Sequence, residues 1–396
     1  MRELRIKKIP IAATPIRIQD LFYFTKSALR GFAGALKGYL GIKHCLLTDS
    51  GISAFYLILK ALSGISKKKE VILPAYTAPS LVLAITKLGL TVKLSDISLK
   101  SFNIDIEHLR EAITENTLCI VAVHLFGIPC EIKPILDLAQ EKDIFVIEDV
   151  AQAQGVSLNG IMAGTLGDIG FFSFNRGKNL PTYSGGGIVT NSHEIAAIIK
   201  EDMNRYKSPA LFSGLADFLK LFGLSLAMRP IFYGLFYRLI SLFKSNDVPE
   251  DFTVSQYTNF KAGVGLALLR RMEGFCQKRQ QNGMFLLGGL KDIPGLILPS
   301  ILQESRPVFN RLPILFEDLN KMAAVEKALK VEGIETSRMY LRPIHHIFNL
   351  GYKEEDFPNA AYFARHVLAL PVHPLVAQED LLLMIKIIKD IMVRQG

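Results

Sequence analysis

The sequence contains no tryptophan and only four cysteines among its 396 residues. The cysteines, Cys45, Cys119, Cys130 and Cys276, form no CxxC pair and have no histidine at metal-binding spacing. This absence argues against a disulfide scaffold and against a zinc site. Isolated cysteines of this kind are typical of buried, reduced thiols in a cytosolic protein.

Charged residues are also scarce, because they make up 21% of the chain while apolar residues make up 49%. This composition excludes a disordered chain, and the glycines and prolines show no fixed period that would indicate a fibrous protein. The formal net charge of +9 suits anionic partners such as phosphates. Nucleic acid is not favoured, since no dense Lys/Arg cluster is interleaved with aromatic residues. The basic N-terminus has no uninterrupted apolar run before Arg17, so we expect no secretory signal.

Strand-like and helix-like segments alternate in the first half of the chain. We predict strands at 45–47, 71–73, 91–94, 118–123, 144–147, 170–174 and 187–190, and helices at 53–63, 78–88, 106–113 and 132–141. This alternation predicts a doubly wound α/β domain over residues 1–204, with a largely parallel sheet and an N-terminal arm. Because ligands of such folds bind at the carboxyl ends of strands, we expect the chemistry in the loops that follow them.

The rest of the chain divides into two further parts. Residues 205–250 are predicted to form an apolar helical insertion, which Arg229-Pro230 breaks into two helices. No part of 217–244 reaches 18 uncharged apolar residues, which disfavours a membrane-spanning helix. The insertion is expected either to pack on the protein or a second subunit, or to lie on the inner membrane face with its basic residues towards lipid phosphates. Residues 251–396 are predicted to form a smaller α+β domain, with helices over 262–280, 319–331 and 377–393 and a strand over 308–316.

The most informative segment runs from residue 145 to residue 190. An apolar strand ends there in Glu148-Asp149, and about thirty residues later Lys178 lies in a loop next to glycines. Pyridoxal phosphate needs a lysine amine for its Schiff base and a carboxylate that keeps its ring nitrogen protonated. The lysine must be partly desolvated so that a useful fraction is neutral at pH 7. The pattern predicts Lys178 and Asp149 as catalytic residues, whereas Asp149 taken alone could equally be a helix cap or an ion-pair partner.

A phosphate cradle is predicted between a strand and a helix, over residues 48–54. Backbone N–H groups at a helix N-terminus bind phosphate through their free donors and the helix dipole. Ser173, five residues before Lys178, could add a hydroxyl. Most serine-glycine turns only cap helices, so this prediction depends on the ordered combination with Asp149 and Lys178.

The ordered motifs resemble the DegT/DnrJ/EryC1/StrS family of pyridoxal-phosphate-dependent aminotransferases, which act on nucleotide-linked keto sugars. The resemblance covers about residues 40–385 apart from the insertion, and rests on TDSGISAFYLIL, VILPAYTAPSLVLAI, VAVHLFGIPCEI, VIEDVAQAQG, GTLGDIGFFSFNRGKN, SGGGIVTN, YLRPIHHI and LALPVHPLVAQEDL. It implies the aspartate-aminotransferase-like transferase fold, fold type I, and a homodimer with sites at the interface. It also implies amino transfer from glutamate to a nucleotide- or lipid-linked keto sugar in surface polysaccharide biosynthesis.

The resemblance also implies roles for individual residues. The implied cofactor-binding residues are Gly51, Ile52, Ser53, Asp149, Gln152, Ser173 and Lys178. Lys178 matches the Schiff-base lysine that moves the substrate proton, Asp149 the partner of the ring nitrogen, and Gln152 the glutamine near the cofactor's 3-hydroxyl. The implied or candidate substrate residues are His124, Ser184, Arg342 and His345.

Several of these candidates have a second interpretation. His124 could face the cofactor or satisfy a loop carbonyl. Arg342 and Arg338 could hold a substrate phosphate or carboxylate, or form surface salt bridges. His345-His346 and His373 have no acidic or cysteine partner at fitting spacing, which argues against a metal site.

The chain departs from the family pattern at four places. Ala78 replaces an aromatic residue that stacks on the cofactor, so stacking must come from elsewhere, for instance His124 or Tyr76. Ser184 replaces a glutamate, and this removes a negative charge from the expected substrate pocket.

At the third place, residues 254–256 replace an asparagine-tyrosine-arginine stretch whose asparagine reaches the partner's phosphate, a contact that Asn259 could supply. The fourth is the long insertion. These changes leave an alternative open, a non-catalytic or regulatory protein that binds a sugar or cofactor. A related branch that dehydrates sugars has histidine in place of the lysine, so Lys178 favours transamination.

Overall fold

A computed structural model describes residues 8–23, 27–206, 213–235, 237 and 250–393. Its largest element is a seven-stranded sheet with the order β1-β9-β8-β5-β4-β2-β3. The strands are β1 His44–Thr48, β2 Glu70–Pro74, β3 Thr91–Ser95, β4 Thr117–Val123, β5 Phe145–Asp149, β8 Ile169–Ser173 and β9 Gly186–Thr190. Within this sheet only β9 runs against the others, so the predicted largely parallel sheet is confirmed.

Helices cover both faces of this sheet. They are α1 Ala28–Leu40, α2 Gly51–Ile65, α3 Ser80–Lys87, α4 Ile106–Ala112, α5 Ile132–Glu141 and α6 His193–Met203. All seven residues of β4 are buried, as expected for a central parallel strand that is covered on both sides. In α5, residues Ile132, Ile135 and Leu138 are buried, because their spacing places them on one face of the helix.

The C-terminal part contains a smaller antiparallel sheet with the order β10-β12-β13. Its strands are β10 Leu296–Ile297, β12 Leu312–Phe316 and β13 Val367–Leu370, and its helices are α11 Leu319–Val331, α12 Pro358–His366 and α13 Gln378–Val393. A second small sheet joins β6 Ser157–Leu158, β7 Ile161–Met162 and β11 Ser305–Arg306. The predicted α+β character of this part is therefore observed, while the proposed three-domain boundaries stay a prediction.

Two predictions of local structure in this half are wrong. The helix expected over 262–280 is two helices, α9 Asn259–Leu269 and α10 Met272–Leu290. Between them, the Arg271 guanidinium pairs with Asp20 and donates to Pro15 O at 3.2 Å. The strand expected over 308–316 begins only at residue 312, because the backbone before it hydrogen-bonds to the loop after β4 instead of to a neighbouring strand.

The described part of the insertion consists of α7 Ser213–Ala227 and α8 Pro230–Leu235. The predicted break at Arg229-Pro230 is confirmed, while the expectations for residues 207–212, 236 and 238–249 lie outside the described residues. None of the helices that the structure describes combines the length and the apolarity needed to cross a membrane.

Candidate active site

The loop that carries Lys178 is held from several sides. Lys178 N donates to Asn175 O at 3.2 Å, which closes a tight turn. Thr14 of the N-terminal arm donates its hydroxyl to Lys178 O at 3.2 Å, and Asn310 Nδ2 donates to Gly177 O at 2.7 Å. Gly177 has a φ of +78°, a conformation that favours glycine. These contacts fix the backbone from which the lysine side chain extends.

A fully buried arginine lies beneath this loop. The Arg279 guanidinium donates to Ala13 O at 2.7 Å, Thr14 Oγ1 at 3.1 Å and Asn310 O at 3.2 Å. It therefore joins the N-terminal arm to the segment before β12. Burial lowers the pKa of Arg279 to about 10, so it stays charged at neutral pH.

Lys178 and Asp149 lie close enough to interact electrostatically. Burial lowers the pKa of Lys178 to about 8, against the opposing effect of the Asp149 carboxylate and with a further lowering by Arg311. Burial raises the pKa of Asp149, against the hydrogen bond from Ala151 N (2.8 Å) and the charge of Lys178. At pH 7 roughly a tenth of such a lysine is neutral. The lysine is therefore partly available as a nucleophile and as a base.

The neighbouring carboxylate, Glu148, has a structural role. Its side chain is fully buried and accepts hydrogen bonds from His124 Nε2 (3.0 Å), Gly164 N (2.8 Å), Leu166 N (2.7 Å) and Gly167 N (2.7 Å). Four donors satisfy a buried carboxylate without a metal or a lysine. Glu148 thereby ties β5 to the loop that leads into β8.

This network also determines what His124 does. Its Nδ1 accepts from Cys130 N at 3.0 Å and its Nε2 faces Glu148, so both ring nitrogens are used within the protein. Neither ring nitrogen is left for a substrate among these contacts, while the expectation that the His124 ring stacks on the cofactor stays a prediction. Tyr76, the other candidate for stacking, is buried, donates to Tyr340 O at 3.2 Å and packs against Phe363.

The predicted phosphate cradle lies where α2 begins. Ser50 caps the helix by accepting from Ser53 N at 3.2 Å, and the two hydroxyls are 2.8 Å apart. Gly51 lies so close to Ser173 that a Cβ on the glycine would come within 2.9 Å of Ser173 Cβ. Ile52 follows in the first turn. Hydroxyls and helix N–H groups around a space that admits only glycine fit a phosphate well.

Gln152 connects the loop after β4 to the C-terminal part of the chain. Its Oε1 accepts from Phe126 N at 3.1 Å, and its Nε2 donates to the Tyr340 hydroxyl at 3.2 Å. Burial and the charge of Asp149 raise the pKa of Tyr340, so this hydroxyl keeps its proton. Sequence reasoning did not identify Tyr340 as a site residue, although it belongs to the YLRPIHHI motif.

Ser184 lies beside a lysine and a carboxylate. Lys261 Nζ donates to Ser184 Oγ at 2.9 Å and lies 3.4 Å from Asp217 Oδ1. Asp217 is buried in α7 and also accepts from the Thr258 hydroxyl at 2.9 Å. The insertion thus supplies the carboxylate that pairs with the lysine beside Ser184, and this ion pair adds no net charge at position 184. Asp217 has no sequence signal of its own, because it reaches the site only through folding.

Arg311 is a second site residue without a motif. It is half-buried, and its guanidinium donates to Asn310 Oδ1 at 3.2 Å and to Ser337 Oγ at 3.4 Å, both neutral acceptors. Within the described ranges no carboxylate lies within 4.0 Å of it. Its positive charge acts on Lys178 and lowers the pKa of the lysine.

Three other predicted residues lie apart from this cluster. His345 bonds to Glu354 O at 3.2 Å and packs against Phe357, and Arg342 is exposed without a hydrogen bond among the described residues. No contact that the structure describes joins either residue to Lys178 or Asp149. Asn259, expected to reach a partner's phosphate, accepts from Leu29 N of its own chain at 3.3 Å.

No group of three or more histidine, cysteine or acidic side chains in the described part of the chain is arranged to hold a metal ion. His373 Nε2 faces Pro10 O at 2.8 Å, and burial lowers its pKa to about 3. Its ring therefore stays neutral and joins the C-terminal part to the N-terminal arm.

Comparison with known proteins provides independent information. A model of the DegT/DnrJ/EryC1/StrS aminotransferase family matches residues 19–389. The spore coat polysaccharide biosynthesis protein SpsC of Bacillus subtilis is 30% identical over 91% of this chain and 88% of that protein. A dTDP-3-amino-3,6-dideoxy-alpha-D-galactopyranose transaminase of Aneurinibacillus thermoaerophilus is 27% identical over 92% of this chain and 90% of that protein. Among solved structures, DesV of S. venezuelae has a TM-score of 0.81 at 23% identity over 98% of this chain and 100% of that one, which confirms the fold prediction.

Proposed function

Because the chain belongs to the DegT/DnrJ/EryC1/StrS aminotransferase family, we propose that it transfers an amino group from glutamate to a keto sugar carried on a diphosphate. Membership confirms the predicted enzyme class, a pyridoxal-phosphate-dependent aminotransferase, and with it the cofactor. The observation that carries the proposal is the half-buried Lys178 amine in the same pocket as the Asp149 carboxylate. The dTDP-linked product named for one relative supports a sugar nucleotide as the acceptor.

The residues present fit pyridoxal phosphate. Ser173 and the turn from Ser50 to Ser53 would hold its phosphate, Asp149 its ring nitrogen and Lys178 its aldehyde carbon. When bound, the cofactor supplies an electron sink for the charge left as the substrate C–H bond breaks. Lys178 Nζ, with a pKa of about 8, is close enough to neutral pH to accept a proton and to return it. The buried Asp149 carboxylate meets no hydrogen-bond donor at Oδ2 among the described residues, which leaves that oxygen for the ring nitrogen.

The choice of amino donor rests on Arg311. A guanidinium with only neutral acceptors, acting electrostatically on the reactive lysine, is suited to a carboxylate that arrives with a substrate. Glutamate brings such a carboxylate on the carbon that loses its proton. Arg311 therefore serves as the proposed receptor for the donor and orients that carbon towards Lys178.

Replacing this guanidinium tests the donor assignment. We expect Arg311→Gln to raise the KM for glutamate about 30-fold, since a lost charged pair costs about 2 kcal/mol. The KM for the keto sugar should change by less than about threefold, because a neutral sugar ring forms no ion pair with the guanidinium. Arg306→Gln, which removes a surface pair with Glu273, is the control. Equal rises in both KM values would contradict the assignment.

The overall reaction is tested in two halves with the purified, cofactor-loaded enzyme. Glutamate should bleach the visible absorbance of the loaded enzyme. Addition of dTDP-, GDP- or UDP-linked keto sugars should restore it and yield an amino sugar detectable by mass spectrometry. If no amino donor bleaches the absorbance, the proposal fails and the alternative, a regulatory protein that binds a sugar or cofactor, gains support. Retention of Lys178 argues against that alternative and against the dehydrating branch.

The proposal includes location and assembly: the protein would act as a cytoplasmic homodimer in surface polysaccharide synthesis. Helices α7 and α8 of the insertion would contact either a second subunit or the inner membrane face. Both helices expose large apolar side chains, namely Leu215, Leu219, Phe222, Ile231, Phe232 and Leu235. Sedimentation in solution and flotation with anionic or neutral liposomes distinguish a subunit contact from a membrane contact. Binding to anionic liposomes supports the membrane face, and a stable dimer that does not float supports the subunit contact.

A further inference from the structure

Two cations gather over one aromatic ring at the rim of the candidate site. The Arg176 guanidinium carbon lies 5.1 Å from the Tyr183 ring centroid, and Lys220 Nζ lies 5.6 Å from the same centroid. Both cations are exposed, and Tyr183 is half-buried. A ring that attracts two cations holds like charges close together at a fixed place.

Among the described residues, neither Arg176 nor Lys220 forms an ion pair with a carboxylate. The nearby acid, Asp217, is already committed to Lys261 and Thr258. Two adjacent charges without counter-ions create a local positive potential that attracts a ligand with more than one negative charge.

The backbone that carries these groups is well defined. Arg176 N donates to Tyr183 O at 3.2 Å, which joins the lysine turn to the loop before β9. Tyr183 has a φ of +73°, unusual for a residue with a side chain, and this sets the direction of its ring. Asp217 anchors α7 through Lys261, and Lys220 follows one helical turn later, so the anchor also places Lys220 over the ring.

One of the two cations, Arg176, lies on the turn that carries the reacting amine. Arg176 and Lys178 belong to the same turn, with the arginine exposed to solvent and the lysine directed into the pocket with Asp149. In a sugar diphosphate the charged group begins at the anomeric carbon, on the same ring as the carbonyl that is aminated. Placing the carbonyl at Lys178 therefore brings the diphosphate to this rim.

We propose that Arg176 and Lys220, held by Tyr183, bind the diphosphate that joins the keto sugar to its carrier. The proposal rests on the proposed function and extends it to a substrate subsite formed in part by the insertion. Two cations match two phosphate groups, and an arginine provides paired donors to phosphate oxygens. A nucleoside diphosphate and a polyprenyl diphosphate share this chemistry, so the carrier is decided by experiment.

The test measures diphosphate binding to the cofactor-loaded enzyme by titration calorimetry. The probes are UDP, dTDP, GDP and farnesyl diphosphate, each at low and high salt. We expect Arg176→Gln and Lys220→Gln each to weaken the affinity for the best probe about tenfold, and high salt to weaken it further. The preferred probe identifies the carrier as a nucleoside or a lipid.

The matched control is Arg270→Gln, because Arg270 also lies over an aromatic ring, 4.6 Å from the centroid of Tyr23, but at the far end of α9 from Lys261. It should bind the best probe as tightly as the unaltered enzyme. Thermal unfolding and visible absorbance verify that each variant is folded and loaded.

Unchanged affinity in both rim variants, or no binding of any probe at millimolar concentration by the unaltered enzyme, overturns the subsite. Either result is independent of whether glutamate bleaches the enzyme and a keto sugar restores it. Failure of amino transfer with normal, variant-sensitive diphosphate binding would instead overturn the proposed function and leave the subsite intact.

Discussion

The two sides of the candidate site are built differently. The cofactor side takes Asp149, Ser173 and Lys178 from a single stretch of thirty residues, at the ends of neighbouring strands β5 and β8 and in the turn that follows. The proposed substrate side takes Arg311 from the position just before β12 and Lys220 from the insertion. In the proposed function, the residues that carry out the reaction are therefore close in sequence, whereas those that select the substrate come from distant segments.

The two sides also differ in how their charges are satisfied. Glu148 on the cofactor side has four hydrogen-bond donors, and Asp149 accepts from a backbone N–H two residues on. Arg311, Arg176 and Lys220 on the substrate side have no carboxylate partner among the described residues. Because the carboxylates of the cofactor side are hydrogen-bonded within the protein, we expect this side to be rigid. Because the cations of the substrate side have no carboxylate partner among the described residues, we expect that side to attract anions.

The strongest way to break the cofactor side is Lys178→Ala. We expect turnover to fall at least about 10³-fold, since the amine acts both as the covalent partner and as the proton carrier. Steady-state amino transfer is the measurement, and Lys200→Ala on the exposed end of α6 should stay within about twofold of the unaltered enzyme. Retention of a tenth of the activity in the Lys178 variant would refute its role.

The next largest effect tests whether the hydrogen bonds to the Glu148 carboxylate stabilise the cofactor side. Glu148→Ala should lower the free energy of unfolding by about 3 kcal/mol or more, because buried donors are left without an acceptor. Denaturant unfolding of the enzyme measures this change. Glu141→Ala, at an exposed position of α5, should stay within about 0.5 kcal/mol. A similar, small change in both variants would show that the network does not stabilise the fold.

We expect the smallest effect from glycine substitutions at two positions of one helix, α2, only one of which lies in the proposed phosphate cradle. Gly51→Ala places a methyl group against Ser173, so we expect a loss of about 1 kcal/mol in stability and a weaker affinity for pyridoxal phosphate. Gly64→Ala meets no atom within 4 Å and should gain up to about 1 kcal/mol through helix propensity. Thermal unfolding and cofactor titration distinguish them, and equal affinities in the two variants would contradict the proposed cradle.

Local patterns predicted much of the fold and the cofactor side. Apolar runs identified the strands of the large sheet, and the order of Asp149, Ser173 and Lys178 identified the cofactor. The helical period, however, continues through Arg270-Arg271, so sequence alone could not show the break that the contacts of Arg271 accompany. The prediction of a strand over 308–316 was wrong at its start because the backbone there hydrogen-bonds to the loop after β4 instead of to a strand.

The substrate side was largely beyond sequence reasoning. Arg311 and Asp217 belong to no motif. Their sequence neighbours do not indicate that Arg311 acts electrostatically on Lys178, or that Asp217 pairs with the lysine beside Ser184. Conversely, His124 follows an apolar strand as a ligand-binding residue would, but its ring donates a hydrogen bond to the buried carboxylate of Glu148. Spatial neighbours, which sequence alone does not supply, decide between such interpretations.

The contacts of Arg279 determine how much of the chain must be synthesised before the surroundings of the Lys178 loop are complete. The guanidinium joins Ala13 to the backbone of Asn310, which lies almost three hundred residues later in the chain. The floor beneath the reactive amine therefore cannot form on a nascent chain until more than three hundred residues have been translated. A partly synthesised chain carries the lysine without its completed surroundings, and the site is assembled only when the small C-terminal sheet emerges.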